Sequence, residues 1–266
     1  MMRHTERSRA QTVRGTFRVA ILAAVAAAGL VAALSGARAA EDCTGPLTGP
    51  NFSIPSGMVG FGRVQGLPRL PLKQNEYVLT IDDGPRSDTT PFLLDILAER
   101  CVKATFFLVG KRAEARPRLV QQILEGGHTL GTHTYSHPDL SNLSSEAIEA
   151  EMLKGRDAVE AAAKVEGYSP SLRLFRYPGS SGVPPILPKP LIDMARSDGL
   201  TVAGIDYSPQ DWRNSPPEES FKRLFDQWGD RGVILFHDGM ANTLLLLPMV
   251  LDELQRRGAK IVALNP

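Results

Sequence analysis

The stretch Tyr77-Val78-Leu79-Thr80-Ile81-Asp82-Asp83-Gly84-Pro85 decides how this chain of 266 residues folds. It is a short apolar run that ends at two adjacent carboxylates and is bounded by Gly-Pro, which indicates a buried strand. Similar runs recur along the chain with helical segments between them. The strands are predicted over 77–82, 104–109, 128–133, 172–176, 201–206, 233–237 and 260–264. The helices are predicted over 90–97, 117–125, 145–165, 190–198, 216–228 and 244–257, with Thr90 as the N-cap of the first and Ser144 as the N-cap of the third.

A repeated strand–helix pattern predicts parallel strands buried on both faces, either as an open doubly wound sheet or as a closed barrel. Polar residues at the carboxyl ends of five strands favour the barrel, because a barrel gathers these ends at one pocket whereas an open sheet spreads them along a line. They are Asp82 with Asp83, His133, Arg176, Asp206 and His237. We therefore predict an α/β fold, a distorted or incomplete (β/α) barrel with about seven parallel strands.

The first 39 residues have the composition of a secretory signal peptide. Five arginines between positions 3 and 18 precede an unbroken apolar run over 19–34, and Ala37-Arg38-Ala39 supplies small residues for cleavage. We expect an exported protein, periplasmic or extracellular, with no membrane span after cleavage. The alternative is an uncleaved N-terminal membrane anchor, although the run is short for a spanning helix.

The charge that remains after residues 1–39 argues against a polyanionic partner. That segment holds six Arg and one Glu, so the rest carries 30 − 6 = 24 basic and 29 − 1 = 28 acidic residues, a net charge of −4. A mildly acidic protein lacks the basic surface that nucleic acid or anionic lipid requires. We expect a neutral or cationic substrate and a monomeric protein.

Residues 40–75 are rich in Gly and Pro, so we predict an irregular extension ahead of a catalytic domain over 76–266. Cys43 in this extension and Cys101 after the first helix are the two cysteines of the chain. In an exported protein they can form a disulfide that ties the extension to the barrel. The alternative is a pair of free thiols.

The chemistry is concentrated in two segments. Asp82-Asp83 supplies adjacent carboxylates, and His133-Thr134-Tyr135-Ser136-His137 brings two imidazoles into one turn of chain. Together they can provide three ligands to a divalent metal and one further carboxylate for catalysis, which points to hydrolysis. Neighbouring residues on a strand point to opposite sides, so we expect different roles for the two carboxylates. His128 lies inside a strand and is predicted to be structural.

Three further segments have both an ordinary and a functional interpretation. Arg176 ends a strand, where it is either a surface residue or the partner of a carboxylate. Asp211-Trp212 is either a chance pair in a loop or part of a pocket wall. His237 ends a buried strand, and imidazole is the side chain best suited to donate a proton near neutral pH.

The motifs TIDDGP, HTYSH, RYPG, DW and ILFHD stand in the order found in the polysaccharide deacetylase family, the NodB-homology group of carbohydrate esterases (family 4). The resemblance covers about residues 76–266 and includes KATFFLVG and GHTLGTH. It implies a distorted (β/α) barrel and metal-dependent removal of N- or O-acetyl groups from an acetylated glycan. The Pro-rich loop over 178–190 borders the cleft and leaves the substrate preference open.

The resemblance also implies roles for individual residues. By position, Asp83, His133 and His137 resemble the metal ligands. Asp82 resembles the general base, oriented by Arg176, and His237 resembles the general acid, steered by Asp211. The remaining positions are the apolar walls around the acetyl methyl, Trp212 and Leu235, and the backbone N–H of Tyr177 as an oxyanion donor.

The sequence leaves three choices open. Zn²⁺ suits two His and one Asp best, but Co²⁺, Ni²⁺ or Mn²⁺ can use the same ligands. The glycan can be peptidoglycan, a chitooligosaccharide, poly-N-acetylglucosamine or acetylxylan. The competing functions are hydrolysis of a non-sugar amide and glycan binding without catalysis.

Overall fold

The structure is a computed structural model that describes residues 43–165, 170, 172–179 and 187–265. The predicted signal peptide over 1–39 lies outside the described residues, as do residues 180–186 of the predicted Pro-rich loop. Among the described helices none combines the length and apolar character needed to cross a membrane.

The described chain alternates between strands and helices, as predicted. The strands are β1 (Thr48–Ser53), β2 (Gly60–Phe61), β3 (Glu76–Asp82), β4 (Thr105–Leu108), β5 (Thr129–Thr132), β6 (Leu174–Phe175), β7 (Thr201–Ala203), β8 (Gly232–His237) and β9 (Lys260–Asn265). The helices are α1 (Thr90–Glu99), α2 (Gly110–Ala115), α3 (Pro117–Glu125), α4 (Ser145–Ala163), α5 (Lys189–Ser197), α6 (Pro217–Asp226) and α7 (Ala241–Arg256). The short helix α2 is the one that the sequence did not indicate.

The sheet is parallel throughout and curves into an incomplete barrel, which confirms the predicted fold class. Its order is β1-β9-β3-β4-β5-β6-β7-β2, and β8 pairs with β3. After β7 the chain pairs with β8 at an isolated bridge, in which the N–H of Tyr207 donates to Val233 O and the N–H of Leu235 donates to Tyr207 O, both at 3.0 Å. This bridge and the hydrogen bond from the N–H of Asp206 to Val233 O at 2.9 Å link the segment after β7 to β8.

The expectation of an irregular extension over 40–75 is wrong, because this segment adds two strands to the sheet. Phe52 of β1 pairs with Leu264 of β9, and Phe61 of β2 pairs with Ala203 of β7. Glycine permits the first pairing, since a Cβ at Gly49 would lie 2.6 Å from the carbonyl oxygen of Ile261. The Gly content that looked irregular in the sequence thus serves close strand contact.

Alternation along β3 directs Thr80 and Asp82 into the barrel. Leu79 and Ile81 belong to the apolar cluster between the sheet and the helices, whereas Val78 belongs to the cluster inside the barrel. Side chains two residues apart share a face, so Thr80 and Asp82 follow Val78 toward the interior. Asp82 is paired in register with Phe107 on β4 and with His237 on β8, which sets a carboxylate and an imidazole side by side at the mouth.

Two helix starts test the predicted caps. Ser144 accepts a hydrogen bond from the N–H of Ala147 at 3.3 Å, which confirms it as the N-cap of α4. The predicted cap at Thr90 is wrong, because α1 begins at Thr90 and neither threonine hydroxyl caps it. The hydroxyls of Thr89 and Thr90 both donate to the buried carboxylate of Asp238 instead.

Cys43 and Cys101 form the disulfide that the sequence allowed, with 58 residues of sequence separation. It ties the extension to the turn that follows α1. Because a cross-link of this span restricts the unfolded chain, we expect Cys43→Ser with Cys101→Ser to lower the free energy of unfolding by about 2–4 kcal/mol. Urea denaturation of the double variant and of the parent measures this directly. An unchanged unfolding midpoint would mean that the bond contributes nothing.

Candidate active site

Asp82 and Asp83 are brought together by a sharp turn at the end of β3. Asp83 has a φ of +73°, a left-handed conformation that few residues other than glycine adopt. The expectation that the two carboxylates point to opposite sides is therefore wrong, since the strand ends at Asp82. Asp82 Oδ2 and Asp83 Oδ1 each lie 3.8 Å from Nε2 of His133.

Arg176 fixes the orientation of Asp82. The arginine side chain is fully buried, and its Nη1 donates to Asp82 Oδ1 at 2.7 Å and to the hydroxyl of Thr80 at 2.9 Å. Its Nε and Nη2 donate to the carbonyl oxygens of Ala203 and Gly204 at 2.8 and 3.1 Å. A buried guanidinium whose three nitrogens all donate hydrogen bonds keeps one carboxylate oxygen bound and leaves Oδ2 directed at the imidazole.

His133 presents Nε2 to both carboxylates. Its Nδ1 lies 2.7 Å from the carbonyl oxygen of Arg176, and a carbonyl only accepts, so Nδ1 carries the proton. Burial lowers the pKa of His133 below its ordinary value and outweighs the opposing effect of Asp82 and Asp83. The imidazole is therefore neutral near pH 7, with the lone pair of Nε2 available as a ligand.

The described residues include one group of three that fits a divalent metal ion: Asp83, His133 and His137. One ligand atom from each lies within 4.8 Å of the others, and Asp83 Oδ1 is 3.2 Å from Nε2 of His137. Asp83 Oδ1 is also buried without a hydrogen-bond partner, an arrangement that is costly unless a cation occupies the space. Burial raises the pKa of Asp83, but His133, His137, His237 and Arg112 outweigh this and lower it, so the carboxylate is ionised.

His237 and Asp211 form a second pair beside this group. Nδ1 of His237 donates to Asp211 Oδ1 at 2.8 Å, while Asp211 Oδ2 accepts from the backbone N–H of His237 at 2.7 Å and from the hydroxyl of Thr243 at 2.6 Å. Burial lowers the pKa of His237. The hydrogen bond and charge of Asp211, together with the charges of Asp82 and Asp83, outweigh burial and raise the pKa above its ordinary value. The imidazole therefore stays protonated to a higher pH than an ordinary histidine.

The predicted wall residues lie close to His237, and the predicted oxyanion donor Tyr177 follows Arg176 in the chain. The Trp212 ring contacts the His237 ring edge-on, with centroids 4.9 Å apart. Leu235 is buried on β8, two residues before His237. The Tyr177 hydroxyl donates to the carbonyl of Leu191 at 2.7 Å, and among the described residues its backbone N–H has no acceptor.

Asp206 does not join the site, which corrects the expectation that it meets the other strand-end residues. Its carboxylate accepts from the N–H of Arg63 at 3.0 Å and from the N–H of Val233 at 2.9 Å, at the start rather than the end of β8. β7 ends at Ala203, so Asp206 follows the strand instead of finishing it. His128 is structural as predicted: its Nδ1 accepts from the N–H of Ala104 at 3.1 Å.

Two supporting residues were not found by reasoning from the sequence. Asp238 is held by Thr89 and Thr90, and its backbone N–H donates to the carbonyl of Asp82 at 2.8 Å, which joins the ends of β3 and β8. Nη1 of Arg112 on α2 donates to the carbonyl of Asp83. Adjacency to His237 was the one available signal for Asp238, and no signal marked Arg112.

Comparison with known proteins accounts for this arrangement. A sequence profile described as polysaccharide deacetylase matches residues 70–203. The chain belongs to the polysaccharide deacetylase family. This membership confirms the resemblance drawn from the motifs TIDDGP, HTYSH, RYPG, DW and ILFHD.

Members of the polysaccharide deacetylase family with named activities are similar over most of the chain. A peptidoglycan-N-acetylglucosamine deacetylase of Bacillus cereus is 30% identical over 201 residues, 74% of this chain and 89% of that protein. A chitooligosaccharide deacetylase of Azorhizobium caulinodans is 29% identical over 204 residues, 71% of this chain and 93% of that protein. A family 4 carbohydrate esterase from Streptomyces lividans, solved in complex with acetate, superimposes with a TM-score of 0.61 at 29% identity, covering 71% of this chain and 93% of that one.

Proposed function

We propose that this protein is a metal-dependent hydrolase that removes the acetyl group from N-acetylglucosamine units of a glycan. One observation carries the proposal: a carboxylate oriented by a buried arginine, a group of three metal-binding side chains and a protonated imidazole meet at one end of the barrel. Amide hydrolysis needs a base, a means of stabilising negative charge and an acid. The site offers each of these from a separate side chain.

Asp82 is the proposed general base. Nη1 of Arg176 holds Oδ1 of this carboxylate and is itself bound to the hydroxyl of Thr80, so Oδ2 is free to take the proton of the attacking water. A buried carboxylate needs such a partner to remain charged, and fixed geometry avoids reorganisation during the reaction.

Asp83, His133 and His137 are the proposed ligands of a zinc ion, since two imidazoles and a carboxylate are typical of catalytic zinc sites. When bound, a divalent ion polarises the acetyl carbonyl and lowers the pKa of water. The backbone N–H of Tyr177 is the proposed second donor to the developing oxyanion, a type of contact worth about 3–4 kcal/mol in the transition state.

His237 is the proposed general acid. Its raised pKa keeps it protonated, so it can deliver a proton to the departing amine nitrogen, which is otherwise a poor leaving group. Asp211 holds the ring through Nδ1 and leaves Nε2 as the nitrogen that gives the proton. Trp212 and Leu235 are the proposed apolar contacts of the acetyl methyl group.

The named relatives support a glucosamine-containing glycan, peptidoglycan or a chitooligosaccharide, as the substrate. Peptidoglycan lies outside the cytoplasm, and this substrate agrees with a signal peptide over residues 1–39 and an exported protein. The disulfide between Cys43 and Cys101 agrees with the same compartment.

The test is release of acetate from chitooligosaccharides, peptidoglycan fragments, acetylxylan and simple N-acetyl amides. We expect acetate from the glucosamine glycans, loss of release after chelation and recovery with Zn²⁺. Release from the simple amides alone would identify an amidase, and glycan binding without acetate would identify a non-catalytic member. Either result would contradict the proposal.

Asp211→Asn should shift the pH dependence of this reaction. The acid must be protonated, so the rate falls as the pH rises through the pKa of His237. Removing the Asp211 charge lowers that pKa, so the alkaline limb of the kcat profile should move to lower pH. We also expect kcat at pH 8 to fall by about tenfold, which is less than the roughly 10²–10⁴-fold that a general acid typically contributes, because His237 itself is still present. An alkaline limb that stays in place would exclude His237 as the acid.

A further inference from the structure

The carboxylate of Glu151 holds the short segment that carries both imidazoles. Glu151 lies on α4, and its Oε2 accepts from the backbone N–H groups of Tyr135 and Ser136 at 3.1 and 2.8 Å. Its Oε1 accepts from the hydroxyl of Ser136 at 3.0 Å. One side chain thus makes three hydrogen bonds to the two residues that stand directly before His137.

The two histidines differ in how firmly they are held. His133 is buried at the end of β5, and the carbonyl of Arg176 fixes its ring. The His137 side chain is 36% exposed, and its backbone N–H is bound by the hydroxyl of Thr134 at 3.1 Å. The position of His137 therefore depends on the chain path through residues 134–136.

That path is an unfavourable one for the backbone. Thr134 and His137 have φ values of +62° and +58°, and a left-handed conformation is especially costly for a β-branched residue such as threonine. Such a conformation persists only where neighbouring groups enforce it. The bonds from Glu151 act on the residues between these two positions.

Helix α2 binds the carbonyl oxygens of the segment over 134–136, and Glu151 binds its N–H groups. The N–H groups of Gly110 and Lys111 on α2 donate to the carbonyl oxygens of Thr134 and Tyr135 at 2.9 and 2.8 Å. Gly155, one turn after Glu151 on α4, lies so close that an added Cβ would be 2.4 Å from the carbonyl carbon of Thr134. Helix α4 therefore offers a rigid base from which Glu151 reaches the segment.

We infer that Glu151 is a positioning residue that sets the affinity of the site for its divalent ion by holding His137 in place for binding. The inference rests on the proposed function for the identity of the metal ligands. It concerns ion binding and not the chemical step, because Glu151 contacts no ligand atom. Residues that support metal ligands typically change metal affinity by about 10–100-fold when they are removed.

Zinc affinity, measured by competition with a chromogenic chelator, tests this on the intact protein. We expect Glu151→Ala to bind Zn²⁺ about 10–100-fold more weakly. Glu151→Gln keeps an oxygen for the two N–H groups and an amide for the Ser136 hydroxyl, so it should stay within about threefold of the parent. Glu149→Ala is the matched control and should match the parent, because Glu149 is on the same helix and its side chain makes no hydrogen bond in the described part of the chain.

Activity at saturating zinc separates positioning from general damage. We expect kcat of Glu151→Ala to return to within about twofold of the parent when zinc is in excess, because the catalytic groups are intact. Parental zinc affinity in Glu151→Ala would overturn the inference, as would an equal loss in Glu149→Ala.

Should Glu151→Ala fail to fold, Ser136→Ala, which removes one of the three bonds, must weaken zinc binding for the inference to stand. Zinc affinities that follow the expected pattern, without acetate release from any of these proteins, would contradict the proposed function and leave this inference intact.

Discussion

Asp82→Asn will stop turnover while the protein keeps its metal. Asparagine cannot take a proton from water, so we expect kcat to fall by about 10²–10⁴-fold, the usual contribution of a general base. The amide oxygen can still accept from Nη1 of Arg176, and Asp83 and the two histidines are untouched. Acetate release from a chitooligosaccharide gives the rate, and elemental analysis of the purified protein gives the metal content.

The control for this substitution is Asp95→Asn, which makes the same chemical change at an exposed position on α1. It should leave the rate, the metal content and the unfolding temperature as in the parent. Because Asp82 neutralises a fully buried guanidinium, Asp82→Asn is expected to unfold more easily, so its fold is checked by circular dichroism at the assay temperature. A folded, metal-loaded Asp82→Asn protein with parental kcat would rule out Asp82 as the base.

His133→Ala will lose both metal and activity. The side chain supplies one of the three candidate ligands and is buried beside both carboxylates. Without the imidazole of His133, Asp82 and Asp83 lose the group that lies between their carboxylates and the metal loses a ligand. Loss of a residue that supports a metal ligand typically weakens metal binding by about 10–100-fold. We expect a larger loss of zinc affinity for His133→Ala, with acetate release below detection.

His128→Gln is the comparison for His133→Ala, because it also alters a buried histidine of the same barrel. His128 accepts from the N–H of Ala104 and directly precedes β5, outside the candidate metal group. Its substitution should lower the unfolding temperature and leave zinc binding as in the parent. Stoichiometric zinc in His133→Ala, or loss of zinc in His128→Gln, would show that the ligands are wrongly assigned.

The arrangement of the strands could be predicted because periodicity and position determine it. Buried apolar runs separated by helices indicated parallel strands, and the polar residues that end β3, β5, β6 and β8 indicated a common mouth. Asp82, His133, Arg176 and His237 do meet there. The order of the motifs identified the family. In the structure Asp83 and His137 both lie beside the imidazole of His133.

The predictions from sequence that proved wrong share a cause, which is contact between residues that are distant in sequence. The strand pairing of 48–53 depends on β9, more than two hundred residues later, so its local composition looked irregular. The hydroxyl of Thr90 donates to Asp238 instead of capping a helix. The carboxylate of Asp206 accepts from the N–H of Val233 at the start of β8. The left-handed turn at Asp83 is likewise imposed by its neighbours, because an isolated aspartate prefers other conformations.

The most direct test of the account is an anomalous difference map from crystals grown with Zn²⁺. The account predicts one strong peak about 2.0–2.2 Å from Asp83 Oδ, His133 Nε2 and His137 Nε2. A peak bound by other side chains, or crystals saturated with zinc that give no peak at these three residues, would contradict it.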